Sequence, residues 1–179
     1  MQILIRLLFA LALLCGLSVT AHAEVVQLQE QQIKAGLLYN FLKYTDWPAA
    51  SLTGATLNIC IFGDDPFSGS LNPIQGRTVN QHQIAIRYVQ GAGEITNCQM
   101  LFVNQNEQSA WPNLHRALVG KSILTVSDFP GFAAAGGMIE FSHQNDHINA
   151  NLDLDAVDHA GLHIEDRLLR LVTIVHGDN

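Results

Sequence analysis

The sequence predicts an α/β three-layer sandwich: a mostly parallel central sheet of about six strands, with helices on both faces and a C-terminal antiparallel hairpin. Short apolar segments alternate with segments of helical periodicity along most of the chain. Residues 56–62 are apolar on both faces, which is typical of a strand inside a parallel sheet. Two alternating runs flank Gln144-Asn145-Asp146, which favours a hairpin over residues 137–152.

An export signal occupies the start of the chain. Residues 1–23 contain Arg6, an apolar run from Leu7 to Leu17 and the small-x-small cleavage site Ala21-His22-Ala23. That run is too short to cross a bilayer. We therefore expect a cleaved signal peptide over residues 1–23 and one exported α/β domain over residues 24–179.

The first element expected after the signal is a helix that ends at Trp47-Pro48, because proline disfavours helical geometry at the residue before it. Lys34 and Lys43 are predicted to point away from the core. The residues predicted to face the core recur at helical spacing: Ile33, Leu37, Leu38, Phe41, Leu42 and Tyr44.

The middle of the chain is predicted to alternate strands and helices. The strand over residues 56–62 leads into Gly63-Asp64-Asp65-Pro66, which has the turn, the N-cap and the proline of a helix start. Strands follow over residues 83–89 and 99–103. A helix is predicted between residues 107 and 119, with Pro112 near its start.

The last third is predicted to contain a strand over residues 122–127, the hairpin and two helices. Gly161 is expected to stop the first helix, over residues 155–160, as a left-handed C-cap. The second helix is predicted over residues 165–175. Its inward-facing residues are predicted to be Leu168, Leu171, Val172 and Val175.

Composition limits the classes of partner. The chain has 16 Asp and Glu against 9 Lys and Arg, a formal net charge of −7. Such a surface repels nucleic acid, so DNA and RNA are not expected partners.

Two cysteines, Cys60 and Cys98, remain after cleavage of the signal. An oxidising compartment makes a disulfide the expected state of such a pair, where it would pin two neighbouring strands. Two buried free thiols are the alternative.

Neither a metal site nor a catalytic site is expected. Gly161 interrupts the pair His159 and His163, and His143 and His147 flank an exposed hairpin tip. No Gly-x-Ser-x-Gly motif occurs, and the acidic pairs at residues 64–65 and 165–166 fit helix starts better than acid–base chemistry. We expect no cofactor and no enzyme activity, with a hydrolase assembled only in space left as a minor alternative.

Two candidate binding regions remain. Gly63-Asp64-Asp65 ends a central strand, where open α/β sheets bind ligands, although its acids argue against phosphate. A second region would form if the last helix returned beside the first. Its candidate residues for a partner or ligand surface are Tyr44, Trp47, Pro48, His163 and Glu165.

The segment KAGLLYNFLKYTDWP, residues 34–48, resembles the start of the YfiR family of periplasmic proteins (DUF4154-type domain). Further segments match that family in order and approximate spacing: LNICIFGDDPF (57–67), CQMLF (98–102), SILTVSD (122–128), GGMIEF (136–141) and NLDLDAVDHAGLHIEDRLLRL (151–171). The family pattern can include a second cysteine pair near the GG-containing strand, and this chain has none there.

The resemblance implies a non-catalytic repressor that binds the periplasmic portion of an inner-membrane diguanylate cyclase and lowers cyclic di-GMP. It also implies relief of repression by an outer-membrane lipoprotein or by a changed redox state, and association as a homodimer. The alternative from another class is a periplasmic small-molecule sensor or carrier with its ligand near Gly63.

Overall fold

The computed structural model describes residues 26–144 and 147–177, so the predicted signal peptide and the hairpin tip at Asn145 and Asp146 lie outside the described residues. The α-helices are α1 (residues 26–43), α2 (Trp111–Leu118), α3 (Leu154–His159) and α4 (Asp166–Leu169). The strands are β1 (Thr45–Asp46), β2 (Thr56–Phe62), β3 (Thr78–Val79), β4 (His82–Val89), β5 (Met100–Val103), β6 (Leu124–Ser127), β7 (Ile139–Gln144), β8 (His147–Asp153), β9 (His163–Ile164) and β10 (Thr173–Val175).

Within the described residues, eight strands form one sheet in the order β10-β8-β7-β6-β5-β2-β4-β3. The five central strands, β7, β6, β5, β2 and β4, run parallel to one another. β7 and β8 form the predicted antiparallel hairpin, and β3 and β10 are short strands at the two edges. The predicted class is therefore confirmed, with two edge strands beyond the expected six.

Helices cover both faces of this sheet. On one face, Leu38 and Phe41 of α1 are fully buried against a cluster that includes Ile59 and Phe102. On the other face, Trp111 and its neighbours on α2 pack in a separate cluster with alternate residues of the same strands. Each fully buried side chain of this kind contributes about 1.5–3 kcal/mol. The result is the predicted three-layer arrangement.

The first helix is rotated from its predicted orientation. Ile33 is 52% exposed, whereas Lys34 is 8% exposed, so both predictions for these residues are wrong. The buried stripe runs through Lys34, Leu38 and Phe41, at helical spacing. Ile33, about 100° around the helix from Lys34, lies outside that stripe.

The helix predicted after Pro66 is not present. Residues 66–76 form consecutive turns, with hydrogen bonds such as Ser70 N–H to the Phe67 carbonyl at 2.8 Å. Ser68 has φ +48° and Gly69 has φ +84°, and two successive left-handed residues prevent a right-handed helix. The helix predicted over residues 107–119 is also shorter, because a 3₁₀ segment, Gln105–Ala110, precedes α2.

The last predicted helix is wrong over most of its length. Only Asp166–Leu169 is helical, and Thr173–Val175 is a strand that pairs parallel with β8. Its three β-branched residues favour a strand where the edge of β8 offers backbone partners. Leu168 is fully buried as predicted, but Leu171 is 56% exposed. Gly161, with φ +67°, ends the α3 region as predicted.

Replacing Gly63 by alanine is expected to lower the free energy of unfolding by about 1–2 kcal/mol, because L-residues are strained in the left-handed region. Gly63 has φ +87°, and a Cβ there would lie 2.6 Å from Cγ of Glu107. Gly36→Ala is the matched control. Gly36 is exposed within α1 with nothing within 4 Å of its Cβ position, so that change should stabilise by up to about 1 kcal/mol. Urea unfolding measures both, and equal effects would contradict the conformational argument.

Candidate functional site

A crevice of about 870 Å³ opens at the carboxyl ends of the parallel strands. In the sheet, β2 lies between β4 and β5. The chain continues from β2 to β4 on one side and then crosses to β5 on the other side, so the strand order reverses at β2. Open α/β sheets bind ligands at such a point. We call this site the acidic crevice. The acidic and basic side chains that line it are Glu30, Lys34, Asp64, Asp65, Asp128, Glu140 and His143.

The position predicted for Asp64 and Asp65 is correct, because both line this crevice directly after β2. A carboxylate oxygen of Asp65 accepts a hydrogen bond from the Phe67 amide at 2.8 Å, which fixes the turn. Burial, together with the nearby charge of Asp65 and a hydrogen bond to it, raises the pKa of Tyr88. Ligand binding at Asp64 and Asp65 stays a prediction.

Lys34 anchors α1 to the wall of the acidic crevice. Its Nζ lies 2.7 Å from Oε1 of Glu30, one helical turn earlier, and 3.0 Å from Oδ2 of Asp128, which follows β6. The other oxygen of Asp128 accepts a hydrogen bond from the Gln105 amide at 2.8 Å. Nε2 of His143 lies 3.3 Å from Glu30. The ammonium thus joins a helix, two strand ends and β7 in one network.

The charges in this network stabilise each other. Burial would lower the pKa of Lys34, but the hydrogen bonds and charges of Glu30 and Asp128 outweigh burial and raise it above the ordinary 10.5. Burial would raise the pKa of Glu30, but Lys34 and His143 outweigh burial and lower it below the ordinary 4.5. Both shifts favour the ionised pair at neutral pH.

The stabilisation that Lys34 provides is expected to vanish at both pH extremes. A lowered pKa makes the Glu30 contribution complete above pH 4.5 and lost as pH falls through the folded-state pKa. A raised pKa makes the Lys34 contribution complete below pH 10.5 and lost as pH rises through the folded-state pKa. The difference in unfolding free energy between wild type and Lys34→Met, measured from pH 3 to pH 11, should be constant between about pH 5 and pH 10. A difference that does not shrink in acid would contradict this assignment.

The floor of the acidic crevice is aromatic. Phe67 and Phe102 meet edge to face with ring centroids 4.9 Å apart, and Phe141 lies 6.4 Å from Phe102. All three rings are buried and line the crevice. An apolar floor beneath a polar rim suits a small ligand that carries both kinds of group.

The predicted Cys60–Cys98 disulfide is confirmed. The two Cα atoms lie 5.8 Å apart, and the bond joins β2 to the residue two positions before β5, its neighbour in the sheet. Both cysteines are buried in the same cluster as α2. The alternative of two free thiols is therefore not what the structure shows.

The first and last helical regions meet, as the candidate partner surface requires. β1 and β9 form an antiparallel ladder in which Asp46 is opposite His163, and the Glu165 amide donates to the Tyr44 carbonyl at 2.9 Å. We call Tyr44, Pro48, His163 and Glu165 the β1–β9 patch. Pro48 and His163 are exposed, and Tyr44 and Glu165 are half-buried.

Trp47 is corrected from a surface residue to a core anchor. It is 9% exposed, and its Nε1 donates to the Gln99 carbonyl at 3.1 Å. The indole therefore holds the end of α1 against the start of β5 and offers little area to a partner. Whether the remaining patch binds a partner stays a prediction.

The histidines and the serine considered for metal binding or catalysis lie in separate parts of the fold. Gly161 separates His159, the last residue of α3, from His163 of β9, and His143 contacts Glu30. Across residues 26–144 and 147–177, no group of three His, Cys, Asp or Glu side chains could hold a metal ion. Ser127 is fully buried, and its hydroxyl donates a hydrogen bond to the Val103 carbonyl at 2.7 Å. This bond links β6 to β5.

In the described part of the chain, no helix is long and apolar enough to cross a membrane.

Comparison with models of known protein families identifies the family of this chain. Residues 31–173 match the model of the YfiR/HmsC-like family, DUF4154. The chain belongs to the YfiR/HmsC-like family. No curated protein matches it. The matched region of this YfiR/HmsC-like chain contains the disulfide, the β1–β9 patch and the acidic crevice except for the start of α1.

Sequence reasoning missed the central cation of the YfiR/HmsC-like domain. Lys34 was predicted to be exposed, and Asp128 was not connected with it, because the two are 94 residues apart. Glu30, four residues before Lys34, was a local signal for an ion pair. Nothing local indicated Asp128, since only the docking of α1 brings the two together.

Proposed function

We propose that this YfiR/HmsC-like chain is a non-catalytic periplasmic regulator that binds the periplasmic portion of an inner-membrane diguanylate cyclase and lowers cyclic di-GMP. The observation that carries this proposal is the family match over residues 31–173. The export signal predicted over residues 1–23 and the disulfide fit an oxidising compartment. Relief by an outer-membrane lipoprotein and homodimer formation remain predictions that the family resemblance implies.

Repression of this kind needs only binding. A regulator that binds the inactive cyclase conformation more tightly than the active one shifts the population toward the inactive state. To move the ratio from 1:99 to 99:1, the difference in affinity must be about 10⁴-fold. No chemical step on the regulator is required.

The β1–β9 patch is the surface we assign to the cyclase. His163 is part of the β1–β9 ladder, and the Glu165 amide bonds to the Tyr44 carbonyl beside it. Nζ of Lys43 lies 4.9 Å from the centre of the Tyr44 ring. Tyrosine is among the residue types that dominate binding energy at interfaces. An imidazole and a carboxylate beside it add polar contacts that select one partner.

The test is direct binding. The mature chain is titrated by calorimetry against the purified periplasmic portion of each inner-membrane diguanylate cyclase of the host. We expect one portion to bind, and Tyr44→Ala/His163→Ala to weaken it by about tenfold or more. Tyr88→Ala/His82→Ala is the matched control, because it removes the same side-chain types from β4, and it should change affinity by less than about twofold. Failure of every cyclase portion to bind would contradict the proposal.

A second function is favoured by the acidic crevice. Its position at the reversal of strand order is where a small ligand would bind in this class of fold. A sensor or carrier predicts stabilisation by ligand alone, about 2.7 kcal/mol at a hundredfold excess over Kd. A thermal-shift screen of small periplasmic metabolites measures this, and stabilisation without cyclase binding would favour the sensor.

A further inference from the structure

A second crevice, of about 830 Å³, opens at the opposite ends of the parallel strands. Thr53 and Thr56 line it at the start of β2, Asn97 just before β5, and Lys121 just before β6. Arg87 lines it from β4. We call this site the basic crevice.

The charge of this crevice is opposite to that of the chain. Among the described residues that line it, the charged ones are Arg87 and Lys121, with no Asp or Glu. The whole chain has 16 acidic and 9 basic residues, and five carboxylates line the acidic crevice at the other end of the sheet. The fold therefore separates charge between the two ends of its parallel strands.

The two cations of the basic crevice have no counter-charge among the described residues. Within residues 26–144 and 147–177, Arg87 and Lys121 have no carboxylate within 4.0 Å, and neither head group donates a hydrogen bond to a described residue. Both side chains are half-buried. Lys34, by contrast, contacts two carboxylates. A bound anion could therefore form charge-assisted hydrogen bonds with both head groups.

The rest of the lining fits a polar ligand. Hydroxyl and amide side chains line the same crevice: Ser51, Thr53, Thr56, Asn58, Thr96 and Asn97. Guanidinium and ammonium groups form their strongest hydrogen bonds with carboxylate and phosphate oxygens. Hydroxyls and amides supply weaker, directional contacts to the neutral part of a ligand.

We propose that the basic crevice binds a small molecule that carries a phosphate or carboxylate group, and that Arg87 and Lys121 pair with this group. The site does not depend on the proposed regulator function. Its lining includes Pro48, which is also part of the β1–β9 patch.

The test uses the mature chain at constant ionic strength. Inorganic phosphate and succinate are titrated separately while backbone amide shifts are followed by NMR, with glucose as a neutral comparison. Saturable shifts at residues around Arg87 and Lys121 are expected with at least one anion, and which anion binds identifies the ligand group. Absence of saturable shifts with both anions would overturn the proposal.

Charge-matched variants separate a site from general attraction. Arg87→Gln/Lys121→Gln should weaken anion binding by about tenfold or more, because charge-assisted hydrogen bonds are lost. Arg167→Gln/Arg170→Gln removes the same charge from α4 and its C-terminal end, outside the crevice, and should change binding by less than about twofold. Equal weakening in both variants would overturn the proposal.

A measurement on the wild-type chain covers the case in which the variant does not fold. Lysines are acetylated with and without saturating anion and read by mass spectrometry. The anion should slow modification of Lys121 and leave Lys43, which is exposed on α1, unchanged. Equal rates at Lys121 with and without anion would overturn the site.

Discussion

Replacing Cys60 and Cys98 together by alanine is expected to lower the free energy of unfolding by about 4 kcal/mol, the value that the chain-entropy model gives for a loop of this length. The two cysteines are 38 residues apart. In the unfolded chain the bond removes the freedom of that loop. In the folded chain it links a central strand to the entry of its neighbour, and both cysteines pack in the core beneath α2.

Urea unfolding of the oxidised wild type and the double alanine variant measures this effect. The wild type with a reducing agent is the matched control, because it opens the bond and keeps both sulfur atoms in the core. We expect the unfolding free energy of both to lie below that of the oxidised wild type by most of this predicted difference. The alanine variant should be slightly less stable than the reduced wild type, because it also removes side-chain volume from the core. A loss below about 1 kcal/mol in both would contradict the structural role of the bond.

Replacing Lys34 by methionine is expected to lower the free energy of unfolding by about 3 kcal/mol, because loss of one partner leaves buried charge without compensation. The side chains of Lys34 and Asp128 are 10% and 15% exposed. Methionine fills much of the lysine volume, so the loss reports the ammonium. Lys43→Met, on the exposed face of the same helix, removes the cation that lies over the Tyr44 ring and should change stability by less than about 1 kcal/mol.

A double-mutant cycle separates the two acidic partners of Lys34. In the Lys34→Met background, Asp128→Asn should lower the unfolding free energy much less than it does in the wild type. The Asp128 carboxylate has already lost its partner there, so its removal breaks no ion pair. The same comparison with Glu30→Gln should give a smaller coupling, since Glu30 is 31% exposed and water screens it more. Independent effects of Lys34 and Asp128 would show that their contact does not stabilise the fold.

The strands of the sheet centre could be predicted because their signal is local. Residues 56–62 are apolar on both faces, and the structure places β2 over those residues, between two parallel neighbours. The segment over residues 165–175 had apolar residues at helical spacing, yet most of it is not helical. Thr173–Val175 forms a strand instead, because it pairs with the open edge of β8. Periodicity does not report such an edge.

The candidate site was predictable where it depended on one strand end. Asp64 and Asp65 could be placed because a buried strand stops directly before them. Lys34 could not be placed, because its burial depends on Asp128 and on the rotation of α1. The pairing of β1 with β9 could not be predicted from the sequence. Its two strands are two residues long each, too short to carry an alternating pattern.

The charge of the basic crevice also depends on tertiary structure. Arg87 lies in β4 and Lys121 lies just before β6, and neither has a neighbour in sequence that indicates a shared site. Only the parallel arrangement brings the starts of β2, β5 and β6 to one end of the sheet. Composition gave the opposite expectation, because the chain as a whole is acidic.

Cellular cyclic di-GMP reports directly on whether the chain acts as a periplasmic repressor. The gene is deleted in its native host and restored with residues 1–23 intact, without them, or as the Tyr44→Ala/His163→Ala variant. We predict that deletion raises cyclic di-GMP and that only the exported wild-type chain returns it to the starting level. Levels that do not change on deletion, or full repression by the chain that lacks residues 1–23, would contradict a periplasmic repressor.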